Sequence, residues 1–154
     1  MAILRGMKNG QIVETTVSDT RPQPSAAHTA RLRARTEDAI DAERDRRIDA
    51  GVVFNGTRFQ TRPADRENVA GATQLATLAV MAGAQAGNLR WHGGAPDFAW
   101  IAEDNSIVTM DAQTVIAFGQ AVAAHKSAHI FAARSLKDSD PIPADYTSHG
   151  YWPA

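Results

Sequence analysis

The chain has 154 residues, no cysteine, and 16 basic against 17 acidic side chains, for a formal net charge of −1. This length suffices for one domain, or for a small domain with arms. The missing cysteines exclude disulfides, thiolate metal sites and a cysteine nucleophile. The balanced charge predicts no nucleic-acid partner, and no apolar run is long enough for a membrane span or a signal peptide. We therefore expect a protein made in a cytoplasm, either free or assembled into a larger particle.

The N-terminal segment predicts a β-hairpin arm. Asn9-Gly10 is a type I′ turn signal, because both central residues of that turn need positive φ, and residues 12–17 alternate as a strand does. Ser18 to Ala27 is rich in Pro, Ser and Thr and is predicted to be a linker. A two-stranded hairpin is marginal alone in water. We therefore expect the arm to bind a partner through Ile3, Ile12 and Val13.

A charged helix is predicted from about His28 to Ala50, and Gly51 is a natural residue for ending it. Its apolar positions are sparse, so the helix is either mostly solvated or packs through one narrow seam against copies of itself. Its basic residues interleave with acidic ones, which favours a solvated helix over a phosphate-binding track. The residues concerned are Arg44, Arg46 and Arg47 with Glu43, Asp45 and Asp49.

A second hairpin follows, with the same Asn-Gly turn chemistry at Asn55-Gly56. Phe54 and Phe59 flank this turn, and we expect both rings to lie on one face and cover a helix. A ligand-binding loop is the alternative, but the turn signal explains Asn55 and Gly56 without a ligand. We therefore interpret this stretch as structural scaffold.

The next helix is predicted to begin near Pro63, which the first helical turn tolerates, and to continue through Gln85. Leu75 and Leu78 are expected to widen its apolar face. Residues 87–97 form a loop in which Trp91 either fills the core or lines a pocket together with the "RWHGG" sequence. A third hairpin should carry Trp100.

Asp111 is the predicted N-cap of the last helix, roughly Ala112 to Lys137. The tail has three prolines and is predicted to be extended, with aromatic side chains that bury against the parent domain or a neighbour. These are Tyr146, Tyr151 and Trp152. The fold class is therefore α+β, with three helices alternating with short hairpins. The predicted divisions are an arm over 1–27, a domain over 28–137 and a tail over 138–154.

The sequence contains one candidate metal site. His125 and His129 have the i,i+4 spacing that places two imidazoles on one ion. Lys126 occupies the position where a zincin carries its general base, and no third ligand follows from the spacing. The alternative is that both histidines lie at the edge of an apolar helix stripe. Phosphate-binding loops, nucleophile elbows and calcium loops are absent from the sequence.

Two ordered patterns resemble an uncharacterised domain of tailed phages and prophages, whose genes usually lie beside tail-fibre and tail-tip genes. A charged helix ends in Arg-Arg-Ile and Gly, and Phe-x-Gly-x-x-Phe-Gln follows (Arg46, Arg47, Ile48, Gly51, Phe54, Gly56, Phe59 and Gln60). A tryptophan in the third hairpin, a Met-Asp helix start and a His-containing last helix then follow (Trp100, Met110, Asp111). The resemblance covers about Asp41 to Leu136.

The resemblance implies a structural part of a phage virion, namely a tail fibre, tail tip or baseplate, with no catalytic residue and no cofactor. Its partners would be other tail proteins. A homotrimer is the first expectation, because tail-tip parts follow the symmetry of the tail axis. A tail-fibre assembly chaperone is the alternative. A metal-dependent hydrolase using His125, His129 and His92 is the second alternative.

Overall fold

The structure is a computed structural model that describes residues 2–8, 11–17 and 23–153, with backbone alone for 2–8 and 13–17. The chain divides into two compact units, Met1–Arg33 and Ala34–Ala154. The predicted α+β class is confirmed, with three α-helices and three antiparallel hairpins among the described residues. The elements are β1 (Ala2–Lys8), β2 (Gln11–Val17), α1 (Ala26–Asp49), β3 (Val52–Phe54), β4 (Thr57–Phe59), α2 (Pro63–Met81), β5 (Ala99–Ile101), β6 (Ile107–Thr109) and α3 (Ala112–Asp138).

In the first unit, β1 pairs antiparallel with β2, so that Ala2 lies opposite Val17. The Asn9-Gly10 turn and residues 18–22 of the expected linker lie outside the described residues. Helix α1 begins at Ala26, two residues earlier than expected. The hydroxyl of Ser25 accepts a hydrogen bond from the backbone N–H of His28 at 3.2 Å, which satisfies one free donor of the first turn.

In the second unit, the β3–β4 hairpin has the predicted turn. Asn55 and Gly56 adopt φ values of 49° and 80°. The rings of Phe54 and Phe59 both pack on Phe118 of α3, with centroid distances of 5.4 and 4.7 Å, so the expected shared face is confirmed. Gly51 adopts φ +100°, and a Cβ atom there would lie 2.8 Å from the carbonyl oxygen of Phe59. Glycine is therefore required at this helix exit.

Helix α2 begins at Pro63 as predicted, but it ends at Met81 rather than Gln85, and Gly83 then adopts φ +98°. Its buried face is the one that contains Val69 and Ala76. The expectation that Leu75 and Leu78 widen this face is wrong. Both side chains are exposed, because they point away from the face that packs on α3.

The main core forms where α2 and the two hairpins of this unit cover α3. A Cβ atom on Gly119 of α3 would lie 2.1 Å from the Thr73 hydroxyl of α2, so the two helices approach closely there. Trp100 packs on Phe118 at 5.7 Å. Trp91 is buried and donates a hydrogen bond from its indole to the carbonyl oxygen of Met110 at 3.1 Å. Trp91 therefore fills the core with its polar group satisfied.

The N-cap prediction for α3 is confirmed. One carboxylate oxygen of Asp111 accepts a hydrogen bond from the backbone N–H of Thr114 at 2.8 Å, and the other accepts from that of Gly87 at 2.7 Å. Hydrogen bonding from the Thr114 side chain, and then from the backbone N–H groups of Gly87 and Thr114, holds the pKa of Asp111 below its ordinary value. One side chain thus caps the helix and anchors the preceding loop.

A second, smaller core forms around the tail. Trp152 is buried against Ile40 of α1 and against Ala133 and Leu136 of α3, and Tyr146 packs on this cluster. A 3₁₀ helix at His149–Tyr151 interrupts the segment that the prolines predicted to be extended. In the described part of the chain, no helix has both the length and the apolarity needed to cross a bilayer.

Candidate functional site

The candidate partner-binding residues fall into two groups. In the arm, Ile12 is 71% exposed. For Ile3 and Val13 the structure describes the backbone alone. In the tail, Trp152 buries against the parent domain, and its indole N–H donates to the carbonyl oxygen of Tyr146 at 2.7 Å. Tyr151 remains exposed, and its hydroxyl lies 3.2 Å from a carboxylate oxygen of Asp145.

His125 and His129 are adjacent, but their nitrogens are not equally available. Their ring centroids are 4.5 Å apart. Nδ1 of His129 lies 2.9 Å from the carbonyl oxygen of His125 and must donate to it, because a carbonyl oxygen only accepts. The His129 ring is buried and stacks on Trp152 at 6.3 Å. His129 therefore has a structural environment that needs no ion.

The third histidine of the metal hypothesis lies elsewhere. His92 packs against Trp91 and Phe98, with centroid distances of 5.7 and 5.5 Å, near the start of α3. His125 lies more than three turns further along that helix, on the order of 20 Å away. Within the described ranges, no three His, Asp or Glu side chains come together as a metal-binding group. The geometry thus gives the histidine pair no third ligand.

The histidine pair instead opens onto a cavity of about 370 Å³ at the C-terminal end of α1. Three arginines and three histidines line it, and no Asp or Glu side chain of the described residues does. Its lining consists of Arg46, Arg47 and Ala50 from α1 and its exit, Gly51, Val52, Val53 and Arg58 from the following hairpin, His125 and His129 from α3, and His149 and Pro153 from the tail. We name this site the Arg-His cavity.

Glu43 holds two of these arginines from outside the lining. Its carboxylate accepts two hydrogen bonds from Arg46 and one from Arg47, each at 2.7 Å. The hydrogen bonds from Arg46, followed by those from Arg47, lower the pKa of Glu43 to about 2. Both partners of the Glu43–Arg47 pair are nearly buried, with side chains 12% and 10% exposed. The arginines are therefore held in fixed positions before anything enters the cavity.

The electrostatics of His125 follow from its burial. Desolvation, and then the neighbouring His129, lower the pKa of His125, although the nearby carbonyl groups of Arg47 and Ile48 oppose this shift. Nε2 of His125 is buried and has no hydrogen-bond partner among the described residues. A buried nitrogen without a partner is costly. A ligand group that forms a hydrogen bond with Nε2 of His125 would therefore stabilise the site.

The sequence did not predict this cavity. Arg46 and Arg47 were assigned to a solvated helix, yet Arg47 is 10% exposed and donates to the carbonyl oxygen of Thr147 at 2.8 Å. No motif in the sequence assigns a function to Arg58 or His149. Arg58 lies in a short predicted strand and His149 in the predicted tail, where single basic residues are common. Only the packing of the tail and hairpin brings them to the same place.

Large aliphatic side chains are also exposed on α2 and on the third hairpin. On α2, Leu75, Leu78 and Met81 form an i,i+3 row that is 61%, 62% and 80% exposed. On the third hairpin, Ile101 lies directly across from Ile107, and both side chains are exposed. Leu, Ile and Met side chains are among those most often buried in folded proteins. We name the first set the α2 row and the second the isoleucine pair.

Comparison with known proteins identifies the family. No curated protein and no solved structure matches the chain. The model of the family described as Domain of unknown function (DUF4376) matches residues 31–148. These residues include α1 from its second turn, both following helices with their hairpins, and most of the tail. The chain therefore belongs to the DUF4376 family.

Proposed function

We propose that this protein is a structural component of a tailed-phage tail, in a fibre, tip or baseplate, and that it assembles as a homo-oligomer. The observation that carries the proposal is the α2 row. Three neighbouring aliphatic side chains stay in water on a helix whose opposite face is fully packed. Exposed apolar groups in a row are typical of interfaces between protein subunits.

Burial of the α2 row would contribute a driving force for assembly. Moving one such side chain out of water contributes about 1.5–3 kcal/mol. Three of them contribute roughly 4.5–9 kcal/mol per subunit, which is of the same order as the roughly 4–15 kcal/mol lost in translational and rotational freedom on association. The isoleucine pair offers a second surface of the same chemistry, and therefore a means of contacting a different tail protein.

The arm supports a docking role. A two-stranded sheet is marginal alone and leaves both of its outer strand edges unpaired, so an added strand from a partner would stabilise it. Ile12 projects a large apolar side chain into water. We propose that β1 and β2 bind a neighbouring tail protein by this route, and that the protein functions in the virion after synthesis in the host cytoplasm.

The proposal assigns no catalytic residue and no cofactor. The histidine pair is supported by backbone and ring contacts alone, with Nδ1 of His129 committed to a carbonyl oxygen. His92, the third ligand that a hydrolase would use, packs on Trp91 and Phe98 instead. These contacts favour a structural role over a metal-dependent hydrolase.

Light scattering coupled to gel filtration tests the assembly. At micromolar concentration we expect a defined oligomer, with a trimer as the first expectation. The double substitution Leu75→Ser, Leu78→Ser should shift the mass toward the monomer. Thr77→Ser, at an exposed residue that lies between the two leucines in the sequence, should leave the mass unchanged. A stable wild-type monomer that binds no tail protein would contradict the proposal.

Quantitative mass spectrometry of purified particles tests the place of action. A structural component is present in a fixed ratio to known tail proteins. Absence from particles, combined with binding to an unassembled fibre, would instead identify a tail-fibre assembly chaperone. The two experiments are independent, because an oligomer can form whether or not it stays in the particle.

A further inference from the structure

We propose that the Arg-His cavity binds an oxyanion, namely the phosphate or carboxylate group of a small ligand. Its volume of about 370 Å³ lies within the range of small-molecule sites. Its described lining has three arginines, three histidines and no acidic side chain. This inference is independent of the oligomeric role proposed above, because it concerns a different surface.

The charges around the cavity leave an excess of positive charge. Arg46, Arg47 and Arg58 are cationic at every physiological pH. Two carboxylates oppose them: Glu43 at 2.7 Å from the first two, and Glu103 at 3.6 Å from Arg58. Among these described side chains, three cations against two anions leave one unit of positive charge, even with every imidazole neutral. An oxyanion is the ligand that such a field attracts.

The guanidinium groups also retain free donors. Arg58 donates from Nη1 to the carbonyl oxygen of Ala50 at 3.1 Å, and its Nε lies beyond hydrogen-bond distance of Glu103. A guanidinium has five N–H groups. Arg46 and Arg47 each use two nitrogens on partners among the described residues. N–H groups in a fork geometry thus remain for a bidentate contact with phosphate or carboxylate.

The donors are held in place before binding, which reduces the entropy lost when a ligand binds. Glu43 fixes the heads of Arg46 and Arg47, and the guanidinium carbon of Arg47 lies 5.1 Å from the ring centroid of Trp152. His125, whose Nε2 has no partner in the described chain, lines the same cavity. An oxyanion there would also favour hydrogen bonding from this imidazole.

The competing explanation is that Arg46 and Arg47 only offset the negative end of the α1 dipole. That explanation covers two residues of the last turn but not Arg58, His149 or the cavity itself. Moreover, the end of α1 already has partners: Thr61 Oγ1 donates to the carbonyl oxygen of Ile48 at 2.6 Å, and Arg58 donates to that of Ala50. The helix end is therefore partly neutralised before any anion binds.

The five histidines provide an internal test. His125, His129 and His149 line the cavity, whereas His28 and His92 do not. We would titrate sodium phosphate into the full chain at constant ionic strength and about pH 7.5, and follow the imidazole carbon-bound proton resonances by NMR. Saturable shifts confined to the three cavity histidines are expected. Equal shifts of all five, or no saturation below about 20 mM, would overturn the proposal.

Calorimetry with matched variants gives a second measurement. Arg58→Gln should raise the phosphate Kd by about tenfold or more, because it removes a charge-assisted contact. Arg62→Gln removes an exposed arginine that pairs with Asp65 outside the cavity, and should leave the Kd within about twofold. Equal effects of the two substitutions would contradict the site. If Arg58→Gln does not fold, Arg58→Lys serves, since it keeps the charge but loses the fork.

Acetate titrated in the same way distinguishes the two oxyanions. Tighter binding of phosphate identifies a phosphoryl group as the natural contact, and tighter binding of acetate identifies a carboxyl group. Sodium chloride at matched ionic strength is the blank for both. A response to chloride as large as the response to phosphate and acetate would overturn the proposal, because it would reflect charge screening alone.

Discussion

The guanidinium carbon of Arg47 lies over the indole of Trp152, 5.1 Å from the ring centroid, while Nη2 of the same arginine donates to the carbonyl oxygen of Thr147. Arg47, in the last turn of α1, thus contacts the tail at two residues, Trp152 and Thr147. His129 of α3 stacks on the same indole. The tail is therefore an integral layer of this unit, and its removal would uncover Ile40, Ala133 and Leu136.

The first prediction concerns this contact. Trp152→Ala should lower the free energy of unfolding by about 3–5 kcal/mol, because it removes a buried indole and leaves a cavity. Tyr151→Ala, at the neighbouring exposed ring, should cost much less. Urea denaturation monitored by circular dichroism measures both. Equal and small losses would mean that the tail does not contribute to the stability of the fold.

The second prediction concerns Glu43. Its pKa is lowered to about 2 when folded, from 4.5 in the unfolded chain, chiefly by the hydrogen bonds from Arg46. A lowered pKa means that its contribution to stability is complete above pH 4.5 and is lost as the pH falls toward 2. Glu43→Gln should therefore cost roughly 1.5–3 kcal/mol at neutral pH.

The check for Glu43 is the pH dependence of that loss. The difference in unfolding free energy between wild type and Glu43→Gln should shrink steadily between pH 4.5 and about 2. Glu67→Gln, at an exposed acid of α2, is a suitable control. A difference that stays constant over this range would show that Glu43 acts through packing rather than through its charge.

The third prediction concerns His125, whose pKa is lowered by burial and then by His129. The unfolded chain, with an ordinary pKa near 6.5, binds the proton more readily than the folded chain. This residue therefore costs the fold stability as the pH falls through and below 6.5. In a buffer without phosphate, the melting temperature of wild type should fall from pH 7.5 to 5.5 more steeply than that of His125→Gln.

The other groups near His125 must be controlled in that experiment. They are His129, His149, Arg47 and Arg58 in the Arg-His cavity. His149→Gln changes an exposed imidazole. It tests whether the slope of melting temperature against pH comes from His125. Identical slopes in wild type and His125→Gln would contradict the assignment. The slope in each variant is measured by scanning calorimetry.

The fourth prediction compares two glycines. Gly51→Ala should destabilise the fold by at least about 1–2 kcal/mol, because φ +100° disfavours alanine and the new Cβ would lie 2.8 Å from a carbonyl oxygen. Gly71→Ala, on the open surface of α2 with no atom within 4 Å, should stabilise it by about 0.5–1 kcal/mol. Thermal unfolding measures both changes. Effects of the same sign would contradict the backbone argument.

Much of the local structure was predictable from short stretches of sequence. The Asn55-Gly56 turn, the Pro63 start of α2 and the Asp111 cap of α3 each depend on φ preferences or hydrogen bonds within a few residues. The alternation around Phe54 and Phe59 likewise placed both rings on one face, because side chains in strands alternate with a period of two. These interactions are local, so the chain specifies them before any tertiary contact forms.

The sequence pattern overestimated the width of the buried face of α2, because it added Leu75 and Leu78 to it. Val69 and Ala76 face α3, whereas Leu75 and Leu78 remain in water, although leucine is the more apolar residue. The close approach at Gly119 and Thr73 decides this, because only small side chains fit between helices packed so tightly. The larger side chains therefore lie on the exposed side of α2, although Leu75 and Leu78 were expected to widen the buried face.

The Arg-His cavity likewise depends on tertiary structure. Arg46, Arg58, His125 and His149 lie far apart in the sequence, and each is unremarkable in its own segment. Their charges meet because the second hairpin, α3 and the folded tail all pack around the end of α1. The sequence alone determined which elements form and where most of them begin, since those choices rest on neighbouring residues. Tertiary packing decided which side chains share a cavity and which stay exposed, since those outcomes depend on how distant segments fit together.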